Sequence, residues 1–156
     1  MVDTERDVVA LIGETLEFKF KMNLRPHQLD FERGVDLFNR ACFFEAHEVL
    51  EDIWRSVGRQ EHARRHWQGL VQLAVAFHHQ STGNFLGAHS VMERALRNLH
   101  GGEQTFPDLD LDRLRSDVTP WREFLEKAKV KPIKSRLRKG RTTPLLPKII
   151  AREPDR

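Results

Sequence analysis

The segment from Phe43 to Val57 constrains the fold more than any other part of the chain. At about 100° per residue, its apolar side chains fall within one arc of a helix. Burial of one such side chain contributes roughly 1.5 to 3 kcal/mol before entropy is subtracted, whereas an exposed helical ion pair contributes about 0.3 to 0.5 kcal/mol. The pattern therefore predicts an amphipathic helix whose apolar face enters a core. This face comprises Phe43, Ala46, Val49, Leu50, Ile53, Trp54 and Val57.

Titratable side chains crowd the edge of the same helix. His47 and Glu51 lie one turn apart beside the apolar face, and Glu45, Glu48 and Asp52 continue round to the opposite face. The apolar face is sufficient for folding, so these groups must be solvated, paired with other side chains or bound to a cation. The helix therefore carries the first candidate functional site.

Apolar periodicity predicts helices on both sides of this segment. The preceding helix follows Pro26, which suits a first helical turn, and ends near Asn39. The helix after it, from about residue 61 to residue 82, is apolar nearly all round, which predicts that it is the central buried helix. Residues 1–24 are expected to form a helix followed by an extended stretch.

Turn residues predict the remaining elements. Gly83 ends the central helix and Asn84 caps the next one, which runs to Gly101. A short helix is expected from Leu111 to Val118, and the Thr119–Pro120 pair predicts the start of a further helix. The predicted fold class is therefore all-α, a compact bundle of five or six helices built from two antiparallel helical hairpins.

The two hairpins resemble each other in sequence. Residues 43–51 align with residues 85–93 at an offset of 42 positions and share Phe, Ala, His, Val and Glu. Either the hairpins are related copies, or two amphipathic helices that enter one core have converged on the same apolar residues. Convergence on a core does not explain the shared His and Glu.

Composition favours one intracellular domain. A chain of 156 residues with 39% hydrophobic content, ten Phe and three Trp can fill a single core. Its one cysteine, Cys42, fits a reducing compartment, and no basic leader or run of about 20 apolar residues is present. We therefore expect a cytoplasmic protein that does not enter a membrane.

We expect the chain to have three parts: an N-terminal extension (residues 1–24), an all-helical domain (25–130) and a basic tail (131–156). The tail carries nine Lys or Arg residues against two acids, a net charge of +7, with four Pro and no aromatic residue. We expect it to be flexible, either disordered or extended, and to make at most non-specific contact with nucleic acid, because it lacks aromatic rings for base stacking. Residues 144–150 are apolar enough to dock in a groove, either of this domain or of a partner.

Several motifs together resemble the signature of the domain of unknown function 309 family. They are the Phe38-Asn39-Arg40 triplet, the sequence of residues 43–51 with Trp54, the Gln68-Gly69-Leu70 and Gln72-Leu73-Ala74 triplets, and the Gly83-Asn84 and Gly87-Ala88 pairs. The resemblance covers roughly residues 28 to 100. It implies a small all-helical domain of unsettled biochemical role, to which the label of predicted metal-dependent hydrolase is sometimes attached. Ala41 departs from the family, which tends to carry glycine there, and this weakens the expectation of a left-handed turn.

The His47-Glu48-x-x-Glu51 pattern resembles the zincin helix, with Glu in place of its second His. His47 and Glu51 would hold a divalent metal such as Zn, Mn or Fe, and Glu48 would act as general base on a bound water. A third ligand would come from His78 or His79 on the central helix, or from His89 or Glu93 in the second hairpin. The alternative is a structural His–Glu hydrogen bond between helices.

Other polar residues could line a pocket or support the site. Gln68 and Gln72 lie one turn apart on the otherwise apolar central helix, so we expect them to meet the acidic residues or to line a pocket, together with Glu45 and Trp54. His62 and His66 lie among three arginines at the start of the same helix. A phosphate site is conceivable there, but a solvated basic helix end is the better interpretation.

Two hypotheses follow for function. In the first, the metal held by His47 and Glu51 activates water for hydrolysis. In the second, the hairpins form a non-catalytic, tetratricopeptide-like interaction module that binds a protein or RNA partner. They differ in geometry, because a metal site needs three ligands within about 2 to 2.2 Å of one ion.

Overall fold

The structure, a computed structural model, describes residues 27–59, 61–130 and 143–153. The predictions made for residues 1–24 lie outside these ranges. Within the ranges the protein has five α-helices, one short 3-10 helix (Gly102–Gln104) and no β-strand beyond an isolated bridge between Leu109 and Ala151. The prediction of an all-α bundle is confirmed. The α-helices are α1 (Gln28–Asn39), α2 (Phe43–Ser56), α3 (Ala63–Ser81), α4 (Phe85–Leu99) and α5 (Leu111–Ala128).

Helix α3 is central, as its composition predicts. It packs against α2 on one side and α4 on the other, while α1 packs on α2 and α5 packs on α4. Gly69 allows the close approach of α4, because a Cβ atom there would lie 2.7 Å from Leu99 Cγ and 3.0 Å from Leu99 N. None of the helices in the described ranges combines the length and apolarity that crossing a lipid bilayer requires.

The turns of the two hairpins have the same hydrogen bonds. In the α1–α2 turn the amide of Cys42 donates to Leu37 O over 2.9 Å, and in the α3–α4 turn the amide of Asn84 donates to His79 O over 2.9 Å. Both bonds close a six-residue ring of the Schellman type. Because each atom of one bond lies 42 positions from its counterpart, the alignment of the hairpins holds in three dimensions as well.

The left-handed residue of each turn lies at the same aligned position. Gly83 has φ 81°, and Ala41, its counterpart, has φ 62°. The first turn is therefore left-handed although it lacks the glycine that usually adopts this conformation. The backbone hydrogen bonds of the hairpin hold Ala41 there, and the alanine is exposed to solvent.

The helices that follow the two turns also bury equivalent positions. Ala46 and Ala88 are both fully buried, as are Leu50 and Met92. The residue after the first Phe of each helix is exposed in both, Phe44 by 48% and Leu86 by 65%. Equivalent turns and equivalent burial support the interpretation that the hairpins are related copies.

The prediction of a separate sixth helix at Thr119–Pro120 is wrong. Helix α5 continues through Pro120, which is exposed on its outer face. A proline inside a helix costs about 3 kcal/mol. Each of the apolar side chains that α5 buries around it contributes roughly 1.5 to 3 kcal/mol, so burial outweighs the cost of the proline. These side chains are Leu114, Val118, Trp121 and Leu125.

Candidate functional site

Helix α2 presents its predicted catalytic and metal-binding residues along a partly exposed edge. His47 is half-buried, and its Nδ1 lies 2.5 Å from the carbonyl oxygen of Phe44 one turn earlier. Glu51 forms an ion pair with Arg55 at 3.1 Å. Glu48 and Glu45 are exposed. The acidic side chains therefore reach water or a neighbouring cation without a metal.

Phe44 links α2 to the end of α3. Its ring packs edge-on against His47, with centroids 5.0 Å apart, and lies 5.4 Å from the ring of His78. His79, the neighbouring candidate, has its Nδ1 3.2 Å from the side-chain amide of Asn84. The fold therefore brings His47 and His78 into contact with the same exposed phenyl ring.

His89 belongs to a different cluster. It lies at the α4 position equivalent to His47, but its Nε2 is 2.5 Å from Glu126 of α5 and 3.8 Å from Glu93. Arg122 pairs with Glu93, and Lys129 pairs with Glu126. The hydrogen bond from Lys129 lowers the pKa of Glu126 below its ordinary value. This network joins α4 to α5, and His89 takes part in it rather than approaching α2.

The described parts of the chain contain no group of three His, Cys, Asp or Glu side chains placed to hold a metal ion. His47, Glu51, His78 and His89, the four predicted ligands, are divided between two clusters and an ion pair with Arg55. A metal at His47 and Glu51 therefore remains a prediction, and its ligand set does not converge in this conformation.

Trp54 packs between the core and a cation that the sequence analysis missed. The guanidinium carbon of Arg64 lies 4.5 Å from the centroid of the indole ring. The same guanidinium donates to the carbonyls of Trp54, over 2.9 Å, and of Val57. Arg64 therefore caps the C-terminal end of α2, where helix carbonyls lack intrahelical partners. The indole N–H of Trp54 is buried and has no partner among the described residues.

The two glutamines of α3 have separate environments. Gln72 accepts a hydrogen bond from Asn98 of α4 over 2.9 Å, so it joins two helices instead of meeting the acidic residues of α2. Gln68 lines a shallow surface depression together with basic side chains. The basic members of this lining are Arg59, His62, Arg64, Arg65 and His66.

His66 is the exception to the solvated basic end predicted for α3. It is only 6% exposed, with Nδ1 2.6 Å from Thr105 Oγ1. Arg65 donates to its Nε2 over 3.3 Å, which requires that this nitrogen is unprotonated. Burial lowers the pKa of His66 below its usual value of 6.5, and the charge of Arg65 lowers it further.

The most complete binding geometry involves residues 143–153, here called the strap. The strap is extended and pairs with the loop before α5. The amide of Asp110 donates to Ile150 O over 3.0 Å, and the amide of Arg152 donates to Asp108 O over 2.9 Å. Of the two grooves considered for this segment, it occupies the one on its own domain.

Two side chains of the helical domain also bind the strap backbone. The amide of Asn39, at the end of α1, donates to Ile149 O and accepts from Ile149 N, both over 2.8 Å. The indole N–H of Trp121, in α5, donates to Leu145 O over 2.8 Å. We call the surface formed by Asn39, residues 108–110 and Trp121 the strap groove.

Burial along the strap is uneven. Ile149 is 3% exposed and joins the hydrophobic core, and Pro147 is buried beside it. Leu145 is 91% exposed and Ile150 is 40% exposed. The strap is therefore anchored by two side chains two positions apart, while backbone hydrogen bonds fix its register. Asn39 and Trp121 carry no sequence signal for this role, since their contacts lie far away along the chain.

Comparison with known proteins finds similarity in the region of the two helical hairpins. Residues 31–91 match the family described as Domain of unknown function (DUF309). The chain is 37% identical over 73 residues to the Uncharacterized protein YpuF of Bacillus subtilis (strain 168), covering 47% of this chain and 41% of that protein. It is 28% identical over 79 residues to an Uncharacterized protein of Aquifex aeolicus (strain VF5), covering 51% of this chain and 23% of that protein.

The chain therefore spans less than half the length of either relative. The matched region contains both turns with their left-handed residues, the edge of α2 with His47 and Glu51, and Asn39 of the strap groove. Trp121 and the strap lie beyond it. The helical hairpins of this protein are therefore similar, over residues 31–91 and less than half of the chain, to the family described as Domain of unknown function (DUF309).

Proposed function

We propose that this protein is a non-catalytic helical interaction module that binds an extended segment of a protein partner in the strap groove. The observation that carries the proposal is the pair of hydrogen bonds between the Asn39 amide and the backbone of Ile149. A primary amide that donates to a C=O and accepts from the N–H of the same residue recognises peptide backbone, whichever chain that backbone belongs to.

A peptide suits this groove better than RNA. Its donors are a side-chain amide, an indole N–H and a backbone N–H, which match the carbonyl groups of an extended peptide. RNA binding depends on Lys and Arg for phosphate and on exposed rings for base stacking. Trp121, the aromatic residue of the groove, is buried and offers only its N–H.

The strap competes with any partner for the groove. A segment tethered to its own binding site has an effective concentration on the order of 1 mM. If the free segment binds with a Kd of about 10 μM, the tethered strap fills the groove about 99% of the time. A binding test must therefore remove the strap from the groove first.

The test uses the full chain with Pro147→Asp and Ile149→Asp, because burying two carboxylates prevents the strap from docking. A fluorescein-labelled peptide of residues 143–153 is titrated with this variant and with the wild-type chain, and anisotropy is recorded. We expect saturable binding to the variant and little binding to the wild-type chain. The matched control is Leu145→Asp with Ile150→Asp, at exposed positions, which should leave the groove occupied.

Two results would refute the proposal. One is a variant that keeps its helical circular dichroism and binds no peptide. The other result applies if this variant unfolds. A protease site is then inserted between residues 131 and 142 of the chain with its natural strap, and the folded protein is cut there. If excess peptide then fails to displace the cut strap, the strap is a fixed part of the fold and not a ligand.

A metal-dependent hydrolase is the second candidate, favoured by one observation. The hydrogen bond between His47 Nδ1 and Phe44 O leaves Nε2 as the nitrogen available to a metal, the usual arrangement of a ligating histidine. Against it, Glu51 is paired with Arg55 and Glu48 is exposed, so the donors do not fit one ion as they stand.

A further inference from the structure

We infer that the partner segment recognised by the strap groove carries a proline followed two positions later by a β-branched aliphatic residue, as Pro147 and Ile149 do in the strap. This inference rests on the proposed function and specifies its ligand. It assigns the selectivity of the groove to two positions and leaves the intervening residue free.

The position of Pro147 favours a residue without an N–H group. Among the described residues, the hydrogen bonds between strap backbone and groove fall at residues 145, 149, 150 and 152, on either side of Pro147. A buried N–H at residue 147 would have no partner among these groups, and proline has none to satisfy. Its fixed φ also suits an extended segment, so less conformational entropy is lost on binding.

The position of Ile149 favours a branched aliphatic side chain. The Asn39 amide fixes both the N–H and the C=O of this residue, which directs its side chain into the core. β-Branched residues favour the extended backbone that these bonds require. A shorter side chain would leave a cavity, and a polar one would be buried without a partner.

The other strap positions contribute little selectivity. Lys148 is exposed, and its ammonium donates to the backbone carbonyl of Asn39 from the rim of the groove. Leu145 offers its carbonyl to Trp121, but its side chain is 91% exposed. A bond made through the backbone is retained whatever side chain that residue carries.

The inference is tested with a set of labelled peptides of residues 143–153 and the full chain carrying Pro147→Asp and Ile149→Asp. We expect Ile149→Ala in the peptide to weaken binding at least about thirtyfold, from the cost of truncating a buried aliphatic side chain. Pro147→Ala should weaken it at least about fivefold, because the added N–H would be buried without a partner and preorganisation would be lost as well. Ile149→Val should bind within about fivefold of the parent, and Leu145→Ala and Lys148→Ala should bind like the parent.

The outcomes separate this inference from the proposed function. If the parent peptide binds but Leu145→Ala weakens it as much as Ile149→Ala does, the groove is a peptide site with a different pattern and the inference is overturned. Equal binding of every peptide overturns it in the same way. If no peptide binds, including the parent, the proposed function fails and the inference fails with it. If the variant chain unfolds, the same peptides are tested on the chain cut between residues 131 and 142, where they compete with the cut strap. We expect the same ranking of peptide affinities.

Discussion

Replacement of Ala41 by glycine should stabilise the protein, although glycine usually weakens a fold. A left-handed conformation costs an L-residue about 1 to 2 kcal/mol, and Ala41 adopts it with φ 62°. Glycine removes this cost but loses more entropy on folding, which offsets about 0.4 to 1 kcal/mol. Because the methyl group of Ala41 is exposed, little burial is lost. The net expectation is a gain of about 0.5 to 1 kcal/mol in the free energy of unfolding.

The second hairpin supplies a matched reciprocal variant. Gly83 has φ 81°, and a Cβ atom there would have no heavy atom within 4 Å, so Gly83→Ala imposes backbone strain without a steric clash. It should lower the free energy of unfolding by about the amount that Ala41→Gly raises it. Urea unfolding at 25 °C, followed by circular dichroism at 222 nm, measures both variants.

The combination of signs tests the reasoning. If Ala41→Gly lowers the free energy of unfolding while m is unchanged, only the entropy of glycine is being observed and Ala41 is not strained. If Gly83→Ala is neutral, the second turn tolerates a side chain, and the equivalence of the two turns does not extend to their energetics.

Three further outcomes are expected. Asn84→Ala should lower the free energy of unfolding by about 0.5 to 2 kcal/mol, because the Asn84 side chain caps α4 by accepting from Gly87 N; an unchanged free energy in urea unfolding would refute this role. The free energy of unfolding should fall as the pH is lowered from 7 towards 5, because the folded-state pKa of His66 lies below 6.5 and the unfolded chain takes up the proton first. The slope from this one group should stay under about 1.4 kcal/mol per pH unit. Urea unfolding across that pH range measures the slope, and His66→Gln should flatten it. Elemental analysis of untagged protein, purified without chelator and offered Zn, Mn and Fe, should find a stoichiometric metal only if the protein is a metal-dependent hydrolase. In that case the double variant His47→Ala with Glu51→Ala should lose the metal and keep the helical circular dichroism. Metal retained by the double variant would exclude this site.

Local patterns predicted the helices well because the information they use is local. The apolar face of α2, the Asn84 cap and the end of α1 near Asn39 all depend on residues within a few positions of one another. The predicted helix break at Pro120 was wrong because it rested on the local helix preference of proline alone, whereas the packing of α5 depends on residues far away in the sequence. Burial of α5 against the other helices offsets the cost of one interior proline.

The candidate site was less predictable because its contacts are distant in sequence. The bond between His89 and Glu126 separates His89 from α2, and no pattern around His89 indicates that partner. Arg64 stacks on Trp54 from another helix, which only the packing of α2 on α3 reveals. The docking of residues 144–150 could be expected from their apolarity, but their partners, Asn39 and Trp121, could not.

The contact between Asn39 and Ile149 also sets an order of events during synthesis, because it joins residues 110 positions apart. At a translation rate of about 5 to 20 residues per second, Ile149 is made roughly 5 to 22 seconds after Asn39. The helical hairpins close through short turns and can pack within that interval, before the strap exists. The Asn39 side of the groove is therefore unoccupied on the ribosome until the strap is made, and another extended polypeptide, such as a neighbouring nascent chain, can contact it first.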